Sequence, residues 1–515
     1  MRILPWSALA LAACTACYSN RREATAADTQ PPPSDATLDD SSAPEAPVGM
    51  CSSYQLQRNS RARLSAQQQP DQPDLVVPGS TQPELSAGPI LGAISDTGVK
   101  VWLRSDREAA FRVRVWPMDG GETLPDVEGP QLTAANDFSA GVQIGGLSPA
   151  RHYGYALLLR ASGTSLDSAV EVASGEFHTL PGDHEPAHTR VVVGADITGG
   201  GPQPIFEQIQ KVEPDFVLLI GDQVYADGVE PTRDAYASAY LNNWNILHLR
   251  ELLGHVPAFM IWDDHEIEDN YWMGKSQRYE PARAAYDLYV QAHNPPAFRS
   301  GGLYYTFRSG DAAFFVLDVR SQRSPNTAID DAQKSMLGDA QKRDLLSWLR
   351  CEPATLKVIV SPVIWSDWAQ TGADAWLSFR TEREELLGYI AQQAVGDVLL
   401  LSGDQHWSAV FRFQRSGYRF YEFLPTPLSK TRAVAPSAET DEILARDDDN
   451  FVFGVVDIDT TAQPYTVDLT LCALDKPCRP GAEPEPQTAL DPDGAHENVP
   501  FTVHLSARDI GMRKD

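Results

Sequence analysis

The sequence predicts an α+β multidomain chain, an amino-terminal β-sandwich followed by a four-layer αββα domain. Three observations lead there. Short β-like runs alternate with turn residues between Gly88 and Leu180; from Arg190 onward apolar runs alternate with helical stretches; and after Asn450 the runs look antiparallel. Strands joined by turns read as a sandwich, whereas strands alternating with helices read as a parallel sheet under helical cover. At 515 residues the chain exceeds one typical domain. Its formal net charge of −28 argues against nucleic acid as a standing partner.

Residues 1–13 carry one Arg, an apolar stretch and small residues before Cys14, the shape of a secretory signal too short to span a bilayer. Leu11-Ala12-Ala13-Cys14 resembles a bacterial lipobox, which implies acylation of Cys14; an ordinary signal peptide cut nearby is the alternative. Residues 14–85, rich in Pro, Ser, Ala, Asp and Gln, bury too little apolar surface to fold and read as a tether. Residues 86–182 hold the sandwich strands VKVWLRS, FRVRVWP, AGVQIGGL, HYGYALLLRA and AVEVASGEFHTL. Within them GLSPARHYGYAL, Gly146 to Leu157, resembles the tyrosine corner of fibronectin type III modules, so a fibronectin III-like sandwich without a catalytic role is expected. Residues 188–510 form the larger domain, with helices expected at Thr232–Leu253, Asp331–Leu349 and Arg380–Gln393 and closing strands at FVFGVVDID, YTVDLTLCAL and FTVHLSARD. Cys472 and Cys478 are expected to pair in an oxidising compartment, while Cys51 and Cys351 stay unassigned.

The chemistry sits where four apolar runs end in acid: RVVVGAD at Asp196, FVLLIGD at Asp222, PAFMIWDD at Asp264 and DVLLLSGD at Asp404. Ligands gather at the carboxyl ends of strands in open α/β sheets. Carboxylates do not converge there unless cations neutralise them, so the residues point to a two-metal site. Asp222, following Gly221, is the natural bridge.

The order Asp196, Gly221-Asp222-x-x-Tyr225, Asp264-His265-Glu266 and Gly403-Asp404-x-His406 resembles the calcineurin-like metallophosphoesterases. WDDHE at 262–266, FFVLDVRSQR, LGDAQKRDLLSWL and DAWLSFRTER narrow the resemblance to PhoD-like alkaline phosphatases, over about 88–456. The resemblance implies a phosphatase or phosphodiesterase that attacks phosphorus in line with a hydroxide generated at the metals, without a phosphoenzyme. Carried over residue by residue, Asp196, Asp222, Tyr225 and His406 hold one metal and Asp222, Asp264 and Asp404 the other. A phenolate ligand favours Fe(III), and an all-oxygen site favours Ca2+, Mn2+ or Mg2+. His265 is expected at the phosphate and leaving oxygen, its ring fixed by Glu266 or Asp263. Arg320 and Arg323 either hold phosphate oxygens or neutralise Asp318; Arg383 is an anion contact or an exposed helix charge, and Asp227 a calcium ligand or a solvated loop acid. The chain departs from the family in carrying Asp196 where Cys is common, and in lacking a His in KVIVSPVIW.

The expected whole is a monomer exported to a bacterial cell envelope and touching membrane only through its lipid anchor, with a phosphate ester as substrate. A phospholipase-type diesterase and a non-catalytic, metal-stabilised binding lipoprotein are the rival readings.

Overall fold

The computed structural model describes residues 51, 82–368, 374–393, 395–434, 441–475, 478 and 500–512. The expected signal, Cys14 and most of the tether lie outside the described residues.

The amino-terminal region supplies β1 (Leu85–Gly92), β2 (Gly98–Ser105), β3 (Ala109–Pro117), β4 (Val127–Glu128), β5 (Ser139–Gly145), β6 (His152–Ala161) and β7 (Val170–His178). They form two sheets, β1-β2-β5 and β4-β3-β6-β7, that share one apolar core through Val101, Leu103, Phe111, Val113, Tyr155 and Leu157. At the corner before β6, Ser148 N donates to the Tyr153 hydroxyl oxygen at 2.8 Å.

The larger region runs β8 (His188–Gly194), α1 (Ile205–Lys211), β9 (Phe216–Ile220), α2 (Arg233–Trp244), α3 (Leu247–His255), β10 (Ala258–Ile261), α4 (Tyr279–Tyr286), β11 (Tyr305–Ser309), β12 (Ala312–Val316), α5 (Gly338–Cys351) and β13 (Leu356–Val360). It continues with α6 (Arg380–Gln392), β14 (Asp397–Leu401), β15 (Ser408–Arg415), β16 (Tyr418–Leu424), β17 (Glu442–Asp447), β18 (Val452–Asp459), β19 (Thr466–Ala473), β20 (Phe501–Ser506) and β21 (Gly511–Met512). Among the described residues the first sheet has the order β20-β19-β18-β8-β9-β10-β1-β2-β5 and the second β11-β12-β13-β14-β16-β15-β17, with β21 on β16.

Period-two alternation sets the layers. Phe314, Val316, Val358, Val360, Leu399 and Leu401 face the first sheet. Their neighbours Phe315, Ile359, Val398 and Leu400 face Trp348 and Leu349 of α5 and Leu386 and Ile390 of α6. Phe206, Ile209, Leu249 and Leu252 bring α1 and α3 into the apolar core of the first sheet. The second sheet therefore shares one apolar core with the first sheet and another with α5 and α6.

Two expectations change. The single helix over Thr232–Leu253 is two, because the chain leaves helical geometry at Asn245 and Ile246. The helix expected from Asp331 starts only at Gly338, since Asp331 accepts local backbone N–H bonds in a turn. The two regions also share a sheet, with β1 running parallel beside β10. Tyr155 strengthens the junction by donating to Gly254 O at 2.7 Å, and Lys100 by donating to Asn294 O at 2.7 Å.

Cys472 and Cys478 are bonded as expected, and Cys51 bonds Cys351 at the end of α5. No helix among the described residues is long and apolar enough to cross a membrane.

Candidate metal centre

β8, β9 and β10 are parallel neighbours, so Asp196, Asp222 and the Asp263–Asp264 pair leave the same sheet edge side by side. β14 of the second sheet adds Asp404 and His406 opposite. Asp196, Asp222, Asp404 and His406 have positive φ values of 63°, 52°, 76° and 58°. A non-glycine residue held there costs on the order of 1–3 kcal/mol, and such strain clusters at functional sites. Gly221, at φ 112°, is required twice over, since a Cβ would also come within 2.7 Å of Asp263 Cβ.

Three overlapping sets of ligand atoms converge: Asp196, Asp222 and His406; Asp222, Asp264 and His265; and Asp222, Asp263, Asp264 and Asp404, the atoms within each set lying within 4.8 Å of one another. Asp222 belongs to all of them, the position of a bridge. Tyr225 joins the first set, its hydroxyl 3.0 Å from His406 Nε2, which lies 3.7 Å from Asp196 Oδ1. Both carboxylate oxygens of Asp196 and of Asp222 are buried without a hydrogen-bond partner. Buried lone pairs left this way are costly unless something positive meets them. Burial, then the charges of Asp264, Glu266, Asp263 and Asp196, push the Asp222 carboxyl well above its usual range. Burial also raises Asp404, helped by Asp374, Asp263 and Asp264. The Tyr225 phenol is raised by burial and by Asp196, Asp222 and Asp404. The donor set thus fits cations.

Around the ligands lies a layer that the sequence reading assigned differently. His265 Nδ1 is 2.7 Å from Asp227 Oδ2, so Asp227, not Glu266 or Asp263, fixes the ring. Asp227 is a partner of this His, neither a free acid nor grouped with the ligand atoms, and it leaves Nε2 4.0 Å from Asp222 Oδ2. Burial opposes the imidazolium, but Asp227 and the charges of Asp264 and Asp269 prevail and push it up to about 9. Glu266 accepts instead from the backbone N–H groups of Asp222 (3.2 Å), Gln223 (2.5 Å) and Asp263 (2.8 Å), clamping two ligand-bearing turns with one carboxylate.

Arg320 and Arg323 are fully buried. Arg320 pairs with Asp263, with Asp374 at 2.6 Å and with Asp264 at 3.5 Å; Arg323 pairs with Asp374. Neither guanidinium neutralises Asp318, whose carboxylate accepts from Trp262 Nε1 and from the backbone N–H of Arg320 and Ser321. Arg383 is buried too, holding Asp367 at 2.7 Å and Glu384 at 2.9 Å, and is neither an anion contact nor an exposed charge. The physical reason is common to all three: carboxylates beside them outcompete solvent for the guanidinium fork.

Asp374 and Asn243 were missed. Asp374 stands in DAWLSFRTER, where only its place in a motif marked it. Asn243, buried, donates to Gln223 O and to Ile197 O, tying the Asp196 and Asp222 turns together. No local pattern announces it.

The PhoD-like phosphatase family model matches residues 190–469, covering every one of these candidate ligands. The chain belongs to the PhoD-like phosphatase family. A domain of unknown function (DUF7800) matches residues 82–170. Alkaline phosphatase D of Bacillus subtilis (strain 168) is 24% identical over 327 residues, 52% of this chain and 56% of that protein, so the match spans little more than half the relative. Among solved structures PhoD is similar, with a TM-score of 0.65 at 17% identity over 76% of this chain and 87% of that one. A purple acid phosphatase, PPD1 from yellow lupin seeds, follows the same fold with a TM-score of 0.56 at 15% identity, over 77% of this chain and 72% of that one.

Proposed function

We propose that this chain is a metal-dependent phosphoric ester hydrolase, a phosphatase or phosphodiesterase working at the centre around Asp222. The observation that carries the reading is the orphaned carboxylate oxygens of Asp196 and Asp222, set at strand ends beside Asp264, Asp404, Tyr225 and His406. Asp196, Asp222, Tyr225 and His406 would hold one cation; Asp222, Asp264 and Asp404, with Asp263 adjoining, would hold the second. The phenol of Tyr225 favours Fe(III) at the first, and the oxygen-only set favours Ca2+, Mn2+ or Mg2+ at the second. Bound there, two cations supply positive charge to the phosphoryl oxygens and acidify water for in-line attack.

The chain's own residues do the rest. Asp227 holds His265 at Nδ1, which leaves Nε2 free to carry a proton to the departing alkoxide. Arg320 balances Asp263 and Asp264 from behind, and Glu266 fixes the turns. Arg320 and Arg323 therefore act through the ligands, not on phosphate.

Export with a lipid anchor at Cys14 is part of the proposal, supported by the two disulfides, which persist in oxidising compartments. The amino-terminal sheets read as a fibronectin III-like sandwich, supported by the β1-β2-β5 and β4-β3-β6-β7 orders and the Tyr153 corner.

Metal analysis of the purified chain, paired with hydrolysis of aryl phosphate mono- and diesters, tests the reading. Iron with a second divalent ion and turnover of either ester is expected. A chain carrying both ions yet inert toward both esters would overturn it.

A further inference from the structure

The loop after β16 is stitched to both sides of the metal centre. Leu428 N donates to Ala195 O at 2.9 Å, Ser429 N and Lys430 N donate to the carbonyl of Asp196 at 3.1 and 3.0 Å, and Ala433 N donates to His406 O at 2.8 Å. Ser429 Oγ adds a fifth tie, accepting from Thr198 N at 3.0 Å. Main-chain bonds to two ligand residues therefore fix where the Lys430 side chain begins.

Its ammonium ends 3.3 Å from the centroid of the Tyr225 ring. Lys430 is half-buried, as are Tyr225, His265, Asp404 and His406, the ligand-side residues nearest solvent; Asp196 and Asp222 lie beneath them. Arg320 and Arg323 are buried and paired with Asp263, Asp264 and Asp374. Among the described residues no carboxylate pairs with Lys430. An aromatic face holds a lysine without neutralising it, and the flexible stem keeps three donors able to turn toward an anion.

We propose that Lys430 is a substrate-recognition residue, meeting a phosphoryl oxygen at the mouth of the centre and favouring doubly charged phosphomonoesters over singly charged diesters. This rests on the hydrolase reading above. The discrimination follows from Coulomb's law: attraction scales with ligand charge, and a phosphomonoester, whose second pKa is about 6, carries close to two negative charges where a diester carries one. A lysine that merely braces the loop would affect both esters alike.

The test uses the full chain with Lys430→Met, which keeps the apolar stem, and Lys430→Arg, which keeps the charge. Metal content, kcat/KM on an aryl monoester and on a diester with the same leaving group, and inhibition by inorganic phosphate are measured on each. Lys430→Met is expected to keep its metals, lose about tenfold or more on the monoester, lose about threefold or less on the diester, and weaken phosphate inhibition in step with the monoester loss. Lys430→Arg is expected to recover most of that loss. An unchanged monoester-to-diester ratio overturns the proposal, and so does loss of metal from Lys430→Met, which would assign the lysine to the integrity of the centre. If the wild-type chain hydrolyses neither ester, the hydrolase reading fails separately, and calorimetry of inorganic phosphate with wild type and Lys430→Met still decides the lysine: equal affinity overturns its role.

Discussion

The floor of the centre and its Asp264 wall hold the same kind of group in opposite electrostatic states. At the floor, Asp196 and Asp222 have no hydrogen bonds to their carboxylate oxygens, and burial raises both. At the wall, burial likewise raises Asp264, but Arg320 and His265 outweigh it and hold its carboxyl below the usual range. Asp264 is further satisfied by backbone N–H groups of His265 and Asn270. The wall is compensated by the protein itself; the floor calls for a cation from outside.

The largest expected effect separates activity from stability at the floor. Asp222→Asn should abolish turnover and lower metal content, yet raise the melting temperature of the chelator-treated protein, because it removes a buried charge among like charges. A lower melting temperature in the metal-free state would show that the floor is not strained in this way.

The wall should respond in the other direction. Arg320→Met leaves Asp263, Asp264 and Asp374 without their shared cation, and breaking a buried pair costs about 3–5 kcal/mol. Denaturant unfolding of the metal-free protein should show that loss; a change within experimental error would mean that the guanidinium does not compensate the wall.

Between floor and wall stands His265. His265→Ala should retain both metals while turnover falls roughly 100-fold, more on alkyl than on activated aryl esters, as expected of a proton donor. Asp227→Asn should give a smaller loss with the same leaving-group dependence, since it frees the ring without removing it. Equal losses on both ester types would reassign His265 to phosphate binding alone.

The smallest effect is a control outside both regions. Lys357, buried with its ammonium 2.6 Å from Val395 O, is lowered to about 8, chiefly by burial, with Arg308 adding to the shift and Asp397 and Asp311 opposing it. The unfolded lysine, with a pKa near 10.4, binds its proton more tightly, so the unfolded state holds more protons between about pH 8 and 10.4 and stability rises with pH across that window. Lys357→Met should remove this rise, as read from melting curves taken in steps from pH 7 to 10. A wild-type rise that survives the substitution would assign it elsewhere.

The sequence by itself marked the carboxylates that converge at the candidate centre. Asp196, Asp222, Asp264 and Asp404 were legible because a run such as FVLLIGD states both a buried strand and its end, and strand ends are where a parallel sheet presents side chains. Tyr225 and His406 followed from the resemblance of the motif order to the calcineurin-like metallophosphoesterases, and the strands from VKVWLRS to FTVHLSARD from alternation.

What only the tertiary structure decided is pairing at a distance. The Arg320–Asp374 contact, the Asp227 bond to His265, the Asn243 tie between two turns, the Cys51–Cys351 bridge and the parallel seat of β1 beside β10 join residues far apart in the chain. A charged or amide side chain looks the same in sequence whether it faces water or a buried partner. Its role is set by which groups share its desolvated space, and that is fixed only when the sheets close over one another.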